Sequence, residues 1–408
     1  MSVICRKSEN VIQRTYKFRM YPSKTTEKKL LDTLEICRQT YNDLLGISIE
    51  TYQHTGKGLS NFGMNNCINY MGGVDKTDVH SQVLQNVSDR LGKAFQNFFR
   101  RIKEKKVKAG FPRFKKDIRS FTYPQSGYKL DNHKLRLSKI GEINLRIGRK
   151  QNRINGNIKT LTIKKMPSGK WFSMFSCEMK KRGETHNFPQ NSIGIDVGLE
   201  KFATLSNGAA IENPRFLVKS ERRLKLLSRR FSKKKKGSKE MHDSRVKLAR
   251  MHERISNQRH DFIHKTTKMI ADNFGLISVE NLNIKGMVKH PYLAKHINDA
   301  SWGNFVQILG YKAESAGGQV VKVNPRGTSQ TCSQCGNNVP KTLAMRWHMC
   351  PACGLHIGRD LNSAKEMLNR ATAGTAERYA DGDGSPPLRE IFEGSLSKKS
   401  EAPQLVGE

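Results

Sequence analysis

Long apolar runs are missing from this chain. No stretch of its 408 residues approaches the roughly 20 apolar residues in a row that a membrane-spanning helix needs. The opening residues, MSVICRKSENVIQ, hold no hydrophobic signal core, so a cytoplasmic protein is expected. Acidic residues are also short, with 36 Asp and Glu against 73 Lys and Arg, a net of +37. That excess is too large and too widely spread to serve solubility alone, and it fits an anionic membrane surface less well than a polyanion. Each neutralised phosphate of a nucleic acid releases condensed counterions, so nucleic acid is the natural partner. A disulfide framework is missing too. Cys5, Cys37, Cys67 and Cys177 are scattered and read as reduced thiols, mainly core fillers, while the other four cysteines cluster. This pattern suits a reducing cytosol and a bound metal.

What is present divides the chain in two. Residues 12 to 20 largely alternate, with Ile12, Tyr16, Phe18 and Met20 on one side, and predict a half-buried strand. Pro22-Ser23 then opens a helix on which Leu30, Leu34, Cys37, Tyr41 and Leu45 form an apolar stripe. A second helix is predicted over 79–103, running into the basic segment RRIKEKKVKAGFPRFKK, which is interleaved with Phe111 and Phe114. From Phe121 to about Lys181 the signals are strands, including a Pro-Ser-Gly turn. Together these predict a β-barrel from residues 1–22 and 120–188, with a helical lobe over 23–119 between its parts.

From Asn191 onward the pattern is α/β. SIGIDVG is a short buried strand, FATLSNGAAIEN a hairpin turning at Asn207-Gly208, and 219–268 long charged helices. That window carries 18 basic and 5 acidic residues, a net of +13. The strand GLISVE, a helical stretch NDASWGNFVQILGYKAES, the strand QVVKVNP and the helix DLNSAKEMLNR follow. This second domain is predicted over 190–327 and 356–370, interrupted by a cysteine block at 328–355. The segment 371–408 holds 4 basic and 7 acidic residues, lacks periodicity, and reads as disordered. No internal repeat is present.

The cysteine block is specific. Cys332 and Cys335, then fourteen residues, then Cys350 and Cys353 place two thiolates on each of two tight turns, with Gly336 and Gly354 following. Four soft ligands in tetrahedral array suit zinc, with an iron–sulfur centre as the alternative. Four cysteines leave no open coordination position, so the metal is read as structural. His348 and His356 flank the block; either could replace a cysteine, but both are expected at the surface or facing nucleic acid.

Three acids carry the chemistry. Asp196 ends one buried strand and Glu280 another, where a bare carboxylate is costly unless a cation or hydrogen bonds compensate it. Asp196 read alone fits equally an acid at the surface end of a strand, and Asp360 alone fits a helix N-cap. Together the three can converge on one sheet edge and hold two Mg²⁺ ions roughly 4 Å apart, the clamp used for phosphoryl displacement.

Several segments resemble TnpB, the transposon-encoded family of RNA-guided nucleases related to the type V CRISPR effectors. They are SIGIDVGLEKFATLSNG, SVENL, TSQTCSQCG…CPACG and RDLNSAKEMLNR, with YKFRMYPSKTTEKKLLDTLEICRQTYNDLL, FQNFFRRIKEKKVKAGFPRFKK and SNQRHDFIHKTTKMIADNFGLISVENL. The resemblance covers about residues 12 to 370. It implies an RNase H-like (RuvC) nuclease core with an inserted zinc ribbon, a wedge-like barrel and a helical recognition lobe. It also implies an RNA-guided DNA endonuclease of the prokaryotic cytoplasm and nucleoid, partnered by guide RNA and by target DNA with a short adjacent motif. Asp196, Glu280 and Asp360 match the catalytic, magnesium-holding triad, and Cys332, Cys335, Cys350 and Cys353 the zinc ligands. One departure is visible: the last segment often reads Asp-Arg-Asp in that family, and Gly358 stands here in place of the first acid. Guide pairing would read sequence while the protein grips the duplex by its backbone. Arg113, Lys115, Lys116 and the run Lys233, Lys234, Lys235 and Lys236 are candidates for phosphate contact. Phe111 and Phe114 could stack bases, but core packing is the better expectation, and Trp302 and Trp347 are expected to be structural. A nuclease-inactive RNA-guided regulator, a type V effector with a CRISPR-derived guide, a strand transferase and a zinc-finger transcription factor are the alternatives. All three acids remain, no Tyr nucleophile with a His-rich site is evident, and a plain zinc finger leaves most of the chain unexplained.

Overall fold

The alternating N-terminal segment becomes β1 (Val11–Tyr21), which lies inside a sheet rather than at its edge. The computed structural model describes residues 11–70, 77–104, 109–148, 154–180, 191–342 and 344–372. Its contacts divide the chain into two units, Met1–Lys181 and Arg182–Glu408. The stretch 181–190 and all of the acidic C-terminal segment beyond 372 lie outside the described residues, as does Cys5.

In the first unit, β1 leads into α1 (Lys24–Thr55), whose N-cap Ser23 accepts a hydrogen bond from the Thr26 N–H at 3.1 Å. The helix ends at Gly56, left-handed at φ 65°, where a side chain would be strained. The predicted stripe Leu30, Leu34, Cys37, Tyr41 and Leu45 is buried along it. Each such side chain contributes about 1.5–3 kcal/mol on burial. Next come α2 (Asn61–Tyr70), which the sequence reading missed, and α3 (Ser81–Lys103). Six strands complete the unit: β2 (Ser120–Tyr123), β3 (Tyr128–Asp131), β4 (Lys134–Leu137), β5 (Gly141–Arg146), β6 (Asn157–Lys165) and β7 (Trp171–Lys180). The sheet runs β2-β6-β7-β1-β5-β4-β3, antiparallel throughout. It curls until the rings of Tyr123 on one edge strand and Tyr128 on the other stand 6.2 Å apart, giving a barrel-like form. Phe18, Met20, Phe121, Leu161 and Phe175 fill its inside together with the apolar faces of α1 and α3.

The second unit is a five-stranded sheet in the order β10-β9-β8-β11-β12. Its strands are β8 (Ser192–Val197), β9 (Lys201–Leu205), β10 (Ala210–Glu212), β11 (Leu276–Glu280) and β12 (Gln319–Val323). The first three form an antiparallel meander, and β8, β11 and β12 are parallel. The connections carry α4 (Phe216–Ser232), α5 (Lys239–Asn273), α6 (Ile284–Met287), α7 (Ala294–Ala300) and α8 (Trp302–Ser315). After β12 come a short hairpin, β13 (Trp347–Met349) and β14 (His356–Gly358), and then α9 (Arg359–Thr372).

Strand side chains alternate between faces, and β8 divides its own accordingly. Ile193 and Ile195 join the core with Ile263 and Ile270 of α5 and Phe305 of α8, where the Phe202 ring meets Phe262 and Phe305 edge-on at 4.9 and 5.1 Å. Gly194 faces α9 instead. A Cβ at Gly194 would stand 1.9 Å from the carbonyl oxygen of Ala364, so only glycine lets the helix lie this close to the strand. No helix among the described residues is long and apolar enough to cross a membrane.

Candidate active site and cysteine cluster

The same alternation that turns Gly194 toward α9 turns Asp196 that way. On β11, Ser278 and Glu280 share a face while Ile277 and Val279 enter the core. The parallel register pairs Gly194 with Ser278 and Ile195 with Val279, which brings Asp196 and Glu280 to neighbouring strand ends. Asp360 lies in the first turn of α9, the helix seated on Gly194. It is not an N-cap, since the helix already begins at Arg359.

The electrostatics record this convergence. Burial, then the negative charges of Glu280 and Asp360, push the Asp196 carboxyl well above the ordinary carboxylate range, with Arg359 pulling the other way. Burial also raises Glu280, opposed by a hydrogen bond that Thr328 Oγ1 donates to Glu280 Oε1 at 2.6 Å and by the charge of Arg370. Arg359 Nε stands 3.3 Å from Asp360 Oδ1. Three carboxylates on one edge, the innermost destabilised as an anion, form a site short of positive charge. Oxygen donors of this kind suit a hard divalent cation such as Mg²⁺.

The second cluster is closed. The thiols of Cys332, Cys335, Cys350 and Cys353 offer sulfurs all within 4.8 Å of one another, the set of metal-ligating groups so gathered among the described residues. Cys332 and Cys353 sulfurs are 3.6 Å apart and those of Cys335 and Cys350 3.5 Å. A disulfide needs about 2.05 Å, whereas tetrahedral Zn–S bonds of about 2.3 Å place sulfurs about 3.8 Å apart. The spacing therefore fits a four-thiolate metal site. Burial raises the Cys350 thiol, but the N–H groups of Cys353 and Ala352 and the neighbouring thiols outweigh it and bring it down to about 6. Cys353 stands at about 12: the Leu355 N–H lowers it, but burial and the other three thiols outweigh that.

The cluster is tied to α9 by side chains that the sequence reading did not single out. Asn362, fully buried, accepts from the Ser333 N–H at 3.0 Å and donates to the Thr331 carbonyl at 2.8 Å. Asn369 donates to the Ser333 carbonyl at 2.7 Å, and Arg370 to the carbonyls of Asn324 and Arg326 at 3.0 and 2.8 Å. The Arg359 N–H donates to the Arg346 carbonyl at 2.8 Å. A buried Asn in a helix interior, where its helix propensity is poor, was the available signal. Gly358 ends β14 opposite Trp347, and a Cβ there would meet no atom within 4 Å.

Four expectations are corrected. His348 is completely buried rather than at the surface, its Nδ1 against Lys341 Nζ. His356 is exposed, as expected. Trp347 is 61% exposed, on the outward side of a short hairpin whose other side buries His348, whereas Trp302 is buried. Phe111 and Phe114 are 47% and 58% exposed. Phe111 does meet Phe95 and Phe98, at ring separations of 5.7 and 5.2 Å, but these half-buried rings do not cover it.

The basic candidates are all exposed. Arg113, Lys115 and Lys116 lie on a strap anchored where the Lys115 N–H donates to Asn42 of α1 at 2.7 Å. Lys233, Lys234, Lys235 and Lys236 form the turn between α4 and α5, with Lys234 paired to Glu240 at 2.6 Å.

Three family models match. Residues 174–290 match one described as "Probable transposase", 302–367 one described as "Cas12f1-like, TNB domain", and 10–57 one described as "Helix-turn-helix domain". The last region is here a strand followed by a single 32-residue helix. The chain is 30% identical to the "Putative RNA-guided DNA endonuclease InsQ" of Escherichia coli (strain K12), over 87% of this chain and 91% of that protein. It is 29% identical to a "Putative RNA-guided DNA endonuclease" of Streptomyces pristinaespiralis, over 96% and 97% of the two. In fold it resembles the Cas12f1 chain solved by cryo-EM in a complex with sgRNA and target DNA. That match has a TM-score of 0.56 and 15% identity, over 88% of this chain and 99% of that one.

Proposed function

We infer, for a chain that belongs to the TnpB family of RNA-guided DNA endonucleases, that Asp196, Glu280 and Asp360 form the centre that cuts the DNA. The protein is an RNA-guided DNA endonuclease: guide RNA and target DNA are its partners, and hydrolysis of phosphodiester bonds is its reaction. One observation carries the placement of the reaction. Asp196 is half-buried beside two further carboxylates and, through desolvation and then their charge, held well above its ordinary pKa, a charge arrangement that asks for a divalent cation.

The three carboxylates supply hard oxygen ligands, and Mg²⁺ held by them would stabilise charge on the attacking and leaving oxygens of an in-line displacement. The chain's own residues do the positioning. Thr328 fixes the carboxylate of Glu280 through its hydroxyl, and Arg359 steers that of Asp360. Gly194 sets the distance between the strand of Asp196 and the helix of Asp360. Zinc in the four-thiolate cluster would take no part in the chemistry, since four sulfurs leave it no open position. It would hold residues 328–355 as the ribbon onto which Asn362 and Asn369 lock α9. Arg113, Lys115, Lys116 and Lys233 to Lys236 are assigned to nucleic-acid phosphates.

The test begins with the protein purified from its native locus and the RNA that accompanies it sequenced. One dominant species, constant in part and variable or element-derived in the rest, is expected. A duplex matched to that variable part should then be cut when Mg²⁺ is added. Random cellular RNA, or no cutting of any matched duplex, would overturn the reading.

A further inference from the structure

A cavity of about 210 Å³ opens beside Glu280 and takes no part in the chemistry above. It is built by the ends of the two strands that carry the acids and by the start of α8. Val197 and Val279, each next to an acid in sequence, give two of its apolar walls, and Leu282, Ile284 and Val306 give others. Trp302 adds an aromatic side chain. Asn281, Gln307 and Lys322 are exposed polar groups on its lining.

The chemistry of the lining makes this more than a packing gap. Aliphatic walls and one aromatic side chain stand with two carboxamides that each offer both a donor and an acceptor. A carboxylate or phosphate ligand would want several cations, and this lining has one, beside the carboxylate of Glu280. A purely aliphatic ligand would leave both amides unused. A flat heteroaromatic ring with hydrogen-bonding edges uses the walls and the amides together, and the volume has room for one such ring.

We propose that this cavity receives a single unstacked nucleobase of the DNA strand being cut, next to the bond hydrolysed at Asp196, Glu280 and Asp360. The inference rests on the endonuclease reading and adds to it a subsite that sets where the strand is cut. A base taken from its stack costs a few kcal/mol in duplex and least in a single strand, so the subsite favours strand already displaced by guide pairing. Seating the base draws the adjoining phosphate toward the carboxylates, with Lys322 at hand for backbone charge. Trp302, Val306, Gln307 and Asn281 are positioning residues.

The experiment uses the full protein with its guide RNA, Mg²⁺ and matched target DNA in which one nucleotide at a time around the cut is made abasic. For the wild type, one abasic position should raise KM roughly tenfold or shift the cut, the scale of one lost base–aromatic contact. Val306→Phe fills the cavity and should impair intact DNA to the same extent, while no longer responding to that abasic position. Gln307→Ala, at an exposed residue, should weaken the discrimination between bases at that position without altering guide-RNA binding or thermal midpoint. Equal cutting of every abasic substrate by the wild type would overturn the proposal. So would Val306→Phe that retains the wild-type thermal midpoint and cuts intact DNA as the wild type does, with the same abasic response. Failure of the endonuclease reading looks different: the wild type would cut no matched substrate at all, abasic or intact.

Discussion

The four thiols and the three carboxylates are two ways of gathering charge in one chain. The thiols come from two short turns, with fourteen residues between them, and their sulfurs already lie at the spacing of a tetrahedral site. The carboxylates come from two strands and a helix far apart in sequence, and desolvation, then their mutual repulsion, raises the pKa of Asp196. The first arrangement is closed and suits a permanent ion. The second is open on one side and suits ions that arrive with substrate. A cluster held by local turns stands on its own geometry, whereas a cluster assembled by topology depends on everything that sets the distances between its elements.

The largest effect should come from the open site. Asp196→Ala, Glu280→Ala or Asp360→Ala is expected to lower single-turnover cutting by about 10³-fold or more, since metal-borne charge stabilisation is worth several kcal/mol. Guide-RNA and target binding, measured by gel shift, should persist; cutting that survived any of the three would remove that acid from the centre. In the closed site the two losses should not separate. Cys350→Ser is expected to lower bound zinc, measured by metal analysis, and cutting together, because the ribbon that holds α9 loses its fold. Full cutting by a zinc-free protein would end the structural role assigned to the cluster.

The dependence on topology can be tested without touching either set of ligands. Gly194→Val inserts atoms where the Ala364 carbonyl already stands, and overpacking of this kind costs roughly 1–3 kcal/mol. Thermal denaturation should show that loss, and cutting should fall further than stability alone explains because Asp360 is pushed away from Asp196. A subtler test uses acidity. The folded state holds the Asp196 proton above the pH at which the unfolded chain releases it, so the folded state binds more protons. In Mg²⁺-free buffer, stability should fall as pH rises from near 4, the ordinary range of an Asp carboxyl, through the raised folded value. Asp196→Asn should flatten that slope and raise the neutral-pH thermal midpoint while abolishing cutting. The smallest effect is expected at Gly358→Asp. Its side chain would meet nothing within 4 Å, so stability should change by no more than about 0.5 kcal/mol.

Much of this was legible in the residues, for identifiable reasons. The strand at 12–20, the stripe on α1 and the strands ending at Asp196 and Glu280 each have a clean periodicity and a capping or turn signal beside them. The helix α2 has a cap at Ser60, whose Oγ accepts from the Gly63 N–H at 3.1 Å, but NFGMNNCINY mixes a Gly and four Asn, poor helix formers, among its apolar residues, and it is held by packing on α1 and α3. The cysteine spacing announced its own cluster. The supports of the acids did not announce themselves, because Gly194, Thr328 and Asn362 act through contacts with elements distant in sequence. His348 and Trp347, adjacent on one short strand, exchange the burial expected of them. Alternation on a two-stranded hairpin puts one side in and the other out, and hydrophobicity alone does not say which.

The contact between Gly194 and α9 also orders events in time. On the ribosome, β8 emerges early and β11 later, while α9 follows the cysteine block at the end of the described chain. Domains tend to fold as units as they are made, and here the unit lacks its third acid until the ribbon has closed and Asn362 has locked onto residues 331–333. A nascent chain therefore carries Asp196 and Glu280 at neighbouring strand ends before Asp360 is in place beside them.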